Sequence, residues 1–143
     1  MRIAITSGYF DPMHRGHLEL LELSRAQGDV LWVIVNNDAQ AALKKGKAFI
    51  DQDTRLAVTA ALRLVDRAVL AIDSDGSVCA TLNQLITEAK ALGCEAVFCK
   101  GGDRNSGNIP EMTVLKQHGA MLIEGLGAKI DSSSRIIAQG KNS

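Results

Sequence analysis

Apolar and polar positions along this chain follow two rhythms that take turns. RIAITS (residues 2–7) and DVLWVIV (29–35) are apolar runs of strand length. The second has no polar face, as in a strand of a parallel sheet covered on both sides. Between them Leu18, Leu20, Leu21 and Leu23 fall in a helical stretch over 15–27, stopped near Gly28. A second helix is expected from Asp53 or Thr54 to Val65, with Leu56, Ala60 and Leu64 on one face. Then follow a strand at 67–72, a helix at 77–92, a strand at 95–99 and a short helix at 110–117 that begins with a proline. A strand at 120–123 and a helix at 132–138 complete the series, before a GKNS tail. AQAALKKGKAFID (39–51) has no firm period and reads as a mobile loop with one helical turn.

Five strands separated by helices predict an α/β fold: one Rossmann-like, doubly wound parallel sheet with right-handed crossovers, in a single domain over residues 1–143. Such sheets bind ligands beyond the carboxyl ends of their strands. The segments after the five strands are GYFDPMHRGH, NNDAQ, DSDGS, KGGDRN and EGLGAKIDSSS. Nearly all the unusual polar chemistry of the chain lies in them.

Composition narrows the class. With 143 residues there is room for one core, and with 3% aromatics that core must be Leu, Ile, Val and Ala. A formal net charge of zero argues against a broad grip on nucleic acid, though not against a local basic pocket. No apolar run approaches the roughly 20 residues of a membrane span, and the N-terminus is too short in apolar residues for a signal peptide. Cys79, Cys94 and Cys99 lack CxxC spacing. They read as small core residues in a reducing, cytoplasmic setting.

FDPMHRGH (10–17) places His14 and His17 where a strand hands over to a helix. Gly8 permits a tight turn, Pro12 delays the helix, and Gly16 clears space for a ligand against the backbone. Both imidazoles then share the first helical turn, where unpaired N–H groups and the helix dipole favour an anion. This describes a phosphate site. Two other readings stand beside it: a capped helix start, and a metal site. The metal site would need more ligands than Asp11 and the distant His118 supply, so no protein metal site is expected.

These landmarks recur in order: GYFDPMHRGH, VNND after the second strand, the lysine-bearing loop, DTR, LRLVD, KGGD and SSSRI. Together they resemble the nucleotidyltransferase superfamily with a His-x-Gly-His motif, the cytidylyltransferase-like proteins. The likeness is to the small glycerol-3-phosphate cytidylyltransferases and to the adenylyltransferase domain of ADP-heptose synthase. KGGD followed by Pro110-Glu111 leans to the latter.

The resemblance implies that an NTP, ATP or CTP, is attacked at its α-phosphate by a phosphate oxygen of a small phosphorylated acceptor. The acceptor expected is a sugar phosphate of the heptose-1-phosphate type, with pyrophosphate leaving. Rivals are a CTP-dependent enzyme for a polyol or aminoalcohol phosphate and, from another class, a nucleotide-sensing module without turnover. His14 and His17 would donate hydrogen bonds to the NTP phosphates. Of the loop lysines, Lys44 and Lys45 are favoured over Lys47 for closing on phosphate; otherwise they are solvated charges.

Nucleotide contacts are expected from Gly8, from the backbone near Tyr9 and Phe10, and from Gly16, Arg55, Gly101, Gly102 and Asp103. Ser132, Ser133 and Ser134 are expected at the outer phosphates or, alternatively, as helix caps. Tyr9 also stands where it can shape acceptor selectivity. Asp11 would contact the acceptor or orient the turn. Arg63 would reach the acceptor or stay exposed on the same helix as Arg55. An arginine that the glycerol-type enzymes carry just before the serines is absent; Lys129 or Arg135 stands nearest to replace it. Mg²⁺ is expected to arrive on the triphosphate, and the resemblance implies a homodimer.

Overall fold

The computed structural model describes residues 1–101 and 109–126. In chain order they form β1 (Arg2–Gly8), α1 (Arg15–Arg25), β2 (Val30–Val35), α2 (Asp38–Lys45), α3 (Gln52–Ala60), β3 (Arg67–Leu70), α4 (Cys79–Ala91), β4 (Glu95–Gly101), α5 (Glu111–His118) and β5 (Met121–Leu126). The strands make one parallel sheet in the order β3-β2-β1-β4-β5. After β3 the chain crosses back to pair β4 with β1, so the winding direction reverses between these two strands. A crevice opens at such a reversal, beyond the strand ends.

The period of two explains why β2 is apolar throughout. Leu31, Val33 and Val35 pack on one face with Ala4, Val97 and Leu21 of α1. Trp32 and Ile34 pack on the other with Ile3, Ile5, Phe98, Leu82 and Leu85 of α4, and Leu115 of α5. Each of the Leu, Ile, Val and Phe side chains among them contributes roughly 1.5–3 kcal/mol by leaving water, so the two layers together hold the sheet. Gly28 is forced by the packing: a Cβ there would lie 2.9 Å from both the Arg2 carbonyl and the Ala4 amide of β1. No helix among the described residues is long and apolar enough to cross a membrane.

Some expected boundaries move. The segment read as a loop with one turn contains all of α2 but its first residue, Asp38, because Asn37 and Gln40 form a reciprocal capping box ahead of an alanine-rich turn. The helix expected from Asp53 or Thr54 to Val65 starts at Gln52 under an Asp51 cap and ends at Ala60. Arg63 therefore lies exposed in the following turn, not on a helix with Arg55. The fifth strand begins one residue later than expected and runs on to Leu126. The expected helix at 132–138 lies outside the described residues.

Helix α4 has no side-chain cap from its own N-cap residue, Val78. Asp73 takes over, accepting from Ala80 N at 2.7 Å, Thr81 N at 3.2 Å and the Thr81 hydroxyl. Removing a buried acceptor strands those donors at a cost of about 1–3 kcal/mol. Asp73→Ala is therefore expected to lower the unfolding free energy by about 1–3 kcal/mol, read as a lower urea midpoint at an unchanged m-value. A variant as stable as wild type would contradict the capping role.

Candidate active site

The site begins at the end of β1. A Cβ on Gly8 would sit 2.7 Å from Phe10 Cζ. Glycine is thus what lets the chain fold back and bury the Phe10 ring, with Phe10 itself at φ 53°. That ring meets His17 edge-on at 5.1 Å.

The two histidines make the capping box of α1. His14 is the N-cap, its Nδ1 accepting from Gly16 N at 3.1 Å. Nδ1 of His17 accepts from His14 N at 3.2 Å, and the rings stack at 3.8 Å. An Nδ1 that accepts carries no proton, so these hydrogen bonds assign the neutral tautomer with N–H at Nε2 in both rings. The capped helix start is therefore real, and both imidazoles that form it line a cleft of about 960 Å³. The cleft lies beyond β1, β2 and β4, at the reversal in strand order, and Gly8, Tyr9, Gly16 and Gly101 also line it.

The lysines of α2 divide their positions. Lys44 lines the cleft with its ammonium 4.5 Å from the Tyr9 ring centroid. Lys45 is held 2.6 Å from Asp11 Oδ2 and 3.2 Å from the Asp11 carbonyl. Lys47 is exposed. The Asp11 carboxylate has no accessible surface and also accepts from Phe49 N at 2.9 Å and Ile50 N at 2.7 Å. Burial alone would raise its pKa. The Lys45 ammonium and the two amides outweigh burial and hold it below the ordinary value of 3.8. Expected either at the acceptor or as the residue that orients the turn, Asp11 here clamps the histidine loop to the α2–α3 connection.

Arg55, expected at the nucleotide, is buried at 2% exposure and does not line the cleft. Its guanidinium donates to the carbonyls of Ile50 (2.7 Å), Tyr9 (2.8 Å) and Asn36 (2.7 Å) and to Asp38 Oδ1 (2.7 Å). Arg63 stays outside the cleft. Gly102, Asp103, Ser132, Ser133 and Ser134 lie outside the described residues, as do Lys129 and Arg135.

Gln40, Glu111 and Cys99 are among the cleft residues that the sequence reading did not assign to the site. Gln40 is fully buried and donates to the carbonyls of Asp75 and Ser77, both at 2.8 Å. Its signal was its place three residues after Asn37. Glu111 was visible only as part of a proline-glutamate pair. Cys99 lines the cleft, but burial pushes its thiol up to about 11, which makes it a poor nucleophile. Among the described residues no three His, Cys, Asp or Glu side chains gather in a way that could hold a metal ion.

A parallel sheet with its cleft at the strand-order reversal and an imidazole-capped helix start defines a Rossmann-like ligand-binding domain. The family model described as cytidylyltransferase-like matches residues 5–137. The chain belongs to this family, and its class is that of the nucleotidyltransferases.

Among curated relatives it is 33% identical over 140 residues to the bifunctional protein HldE of Pseudomonas fluorescens (strain Pf0-1), and to that of Pseudomonas putida (strain GB-1). Each match covers 96% of this chain and 27% of the relative, so the chain spans about a quarter of their length. Among solved structures, the lipopolysaccharide core biosynthesis protein from Thermoplasma volcanium GSS1 superposes with a TM-score of 0.62 at 22% identity, covering 87% of this chain and 94% of that one. A protein assigned as a nicotinate-nucleotide adenylyltransferase from Vibrio parahaemolyticus gives 0.53 at 14% identity, covering 99% and 88%. Both share the fold.

The Asp11 clamp has a sign that can be checked. With a depressed folded pKa, its contribution is complete above the ordinary carboxylate value and is lost as pH falls through the lower folded value. At neutral pH, Asp11→Asn should speed hydrogen exchange at the Phe49 and Ile50 amides roughly tenfold or more while leaving α4 amides unchanged. Equal protection in variant and wild type would dismiss the clamp.

Proposed function

We propose that the cleft binds an NTP with its phosphates at the start of α1 and transfers the NMP to a small phosphorylated acceptor, releasing pyrophosphate. One observation carries this reading. Two stacked imidazoles, each with one nitrogen fixed on backbone and its proton at Nε2, line the cleft where the strand order reverses. A helix N-terminus with preset N–H donors suits phosphate, and fixed donors need no reorganisation as charge gathers on the α-phosphate and the leaving group. Lys44, next to the same cleft, adds a positive charge that can approach from α2.

The attacking group would be a phosphate oxygen already ionised at neutral pH, so the protein's task is to hold two anions in line. ATP and a sugar phosphate are favoured over CTP and a polyol phosphate. KGGD with Pro110-Glu111 supports this, together with the 33% identity to HldE proteins. The described residues present no cage for Mg²⁺. Its ligands would come mainly from nucleotide phosphates and water, and it would neutralise charge there.

The test is a panel: the protein with Mg²⁺, each of four NTPs, and sugar, polyol and aminoalcohol phosphates, followed by pyrophosphate release. ATP with a sugar phosphate is the expected pair. CTP with a polyol phosphate would replace that assignment, and NTP binding without pyrophosphate from any pair would make this a sensing module. His14→Ser and His17→Glu each keep a capping acceptor but lack the imidazole N–H. Each is expected to lower turnover by about 10²–10³ with helix content retained. Wild-type turnover in either variant would overturn the role given to that ring.

A further inference from the structure

Tyr9 and Lys44 both line the cleft, with the ammonium 4.5 Å from the ring centroid. That is inside the roughly 6 Å over which the quadrupole of an aromatic ring attracts a cation. Burial raises the Tyr9 phenol above its ordinary value of 10, against an opposing effect of the Arg55 charge, so the ring is uncharged at neutral pH. The contact is a cation on a π face.

The neighbouring lysine shows what this arrangement avoids. Lys45 is paired with the Asp11 carboxylate at 2.6 Å, which cancels its charge toward the cleft. Among the described residues Lys44 forms no ion pair. A π face holds a cation while leaving its net charge intact for an incoming anion.

Both partners are placed by one group. Arg55 donates to the Tyr9 carbonyl at 2.8 Å and to Asp38, the first residue of α2, at 2.7 Å. The ring and the helix that carries Lys44 in its last turn are thus tied to the same guanidinium. A lysine stem is long and flexible, and a ring at a fixed place narrows the positions of its ammonium before any ligand arrives.

We propose that Tyr9 is a positioning residue whose ring holds the Lys44 ammonium, with its charge uncancelled, where the phosphate chain of the nucleotide meets it. The inference rests on the cleft being the nucleotidyl-transfer site. It adds that Tyr9 acts through Lys44: the ring is required and the phenol hydroxyl is not.

The test compares wild type with Tyr9→Phe, which keeps the ring, Tyr9→Leu, which removes it, Lys44→Gln, and the double variant of Tyr9→Leu with Lys44→Gln. NMR of the ligand-free protein reads the pair directly. Tyr9 is the only tyrosine of the chain, so its ring signals are unambiguous, and Lys44 is the lysine signal missing from Lys44→Gln. The ring should shift the Lys44 ε-methylene protons upfield in wild type and Tyr9→Phe, and the shift should vanish in Tyr9→Leu. Titration calorimetry then measures binding of ATP and of inorganic triphosphate. Tyr9→Leu should weaken both by roughly two- to fivefold, Tyr9→Phe should bind as wild type does, and adding Tyr9→Leu to Lys44→Gln should change nothing further.

A Lys44 signal unmoved by Tyr9→Leu would overturn the inference. So would an equal loss of binding with and without Lys44, the mark of a ring that only supports the fold or touches ligand itself. Tyr9→Phe binding as weakly as Tyr9→Leu would give the role to the hydroxyl and overturn it too. Each of these leaves the transfer reaction standing. Failure of wild type to bind either probe would overturn both readings. Coupling of the two positions in a chain that binds ATP but releases no pyrophosphate would uphold the pair and remove the transfer reaction.

Discussion

One buried guanidinium holds the functional end of this molecule together. Arg55, from α3, binds the carbonyls that follow β1 and β2, the carbonyl just before α3, and Asp38 at the start of α2. Loops leaving neighbouring parallel strands would otherwise expose carbonyls with no partner and diverge. A planar cation with several fixed donors can satisfy them at once, which a lysine cannot do. The cation is tolerable without water because every contact is charge-assisted and Asp38 balances it. Position 55 thus acts on the cleft indirectly, by setting where the histidine loop and α2 leave the sheet.

A second network does the same work on the next strand. Asn36 donates to Gln40, Gln40 and Asn37 cap α2 reciprocally, and Asn37 donates to the carbonyls of Ala71 and Asp73 beyond β3. The ends of β1, β2 and β3 are therefore cross-linked by the buried side chains of Arg55, Asn36 and Gln40 and the half-buried amide of Asn37. Lys44 is carried on the helix that this scaffold fixes, and it remains close to a π face in preference to an ion pair. The layout separates rigid support from the charge at the cleft.

Much of the fold was legible because burial on both faces of a parallel sheet leaves a plain mark: DVLWVIV can hardly be anything but an inner strand. The helix hidden in 39–51 was not, because its start depends on a side-chain exchange between Asn37 and Gln40 that periodicity does not register. The histidine turn was legible from residue types alone. Arg55 and Asp11 were recognised as special, Asp11 with the turn as one of its two expected roles, but the backbone partners of Arg55 were not foreseen. Sequence shows a charge near other functional groups, yet whether it faces ligand or backbone depends on carbonyls brought in from distant strands.

The histidine capping box also restricts the chemistry. To take a proton from a substrate, either ring would need its lone pair at Nε2 and its hydrogen at Nδ1. That arrangement would press an imidazole hydrogen against the amide hydrogen of Gly16 or His14, taking away the acceptor each has among the described residues. Neither ring can relay a proton from one edge to the other without breaking the first turn of its own helix. The backbone thus sets both imidazoles against accepting a proton from the cleft, and a proton released there would have to go to some other group.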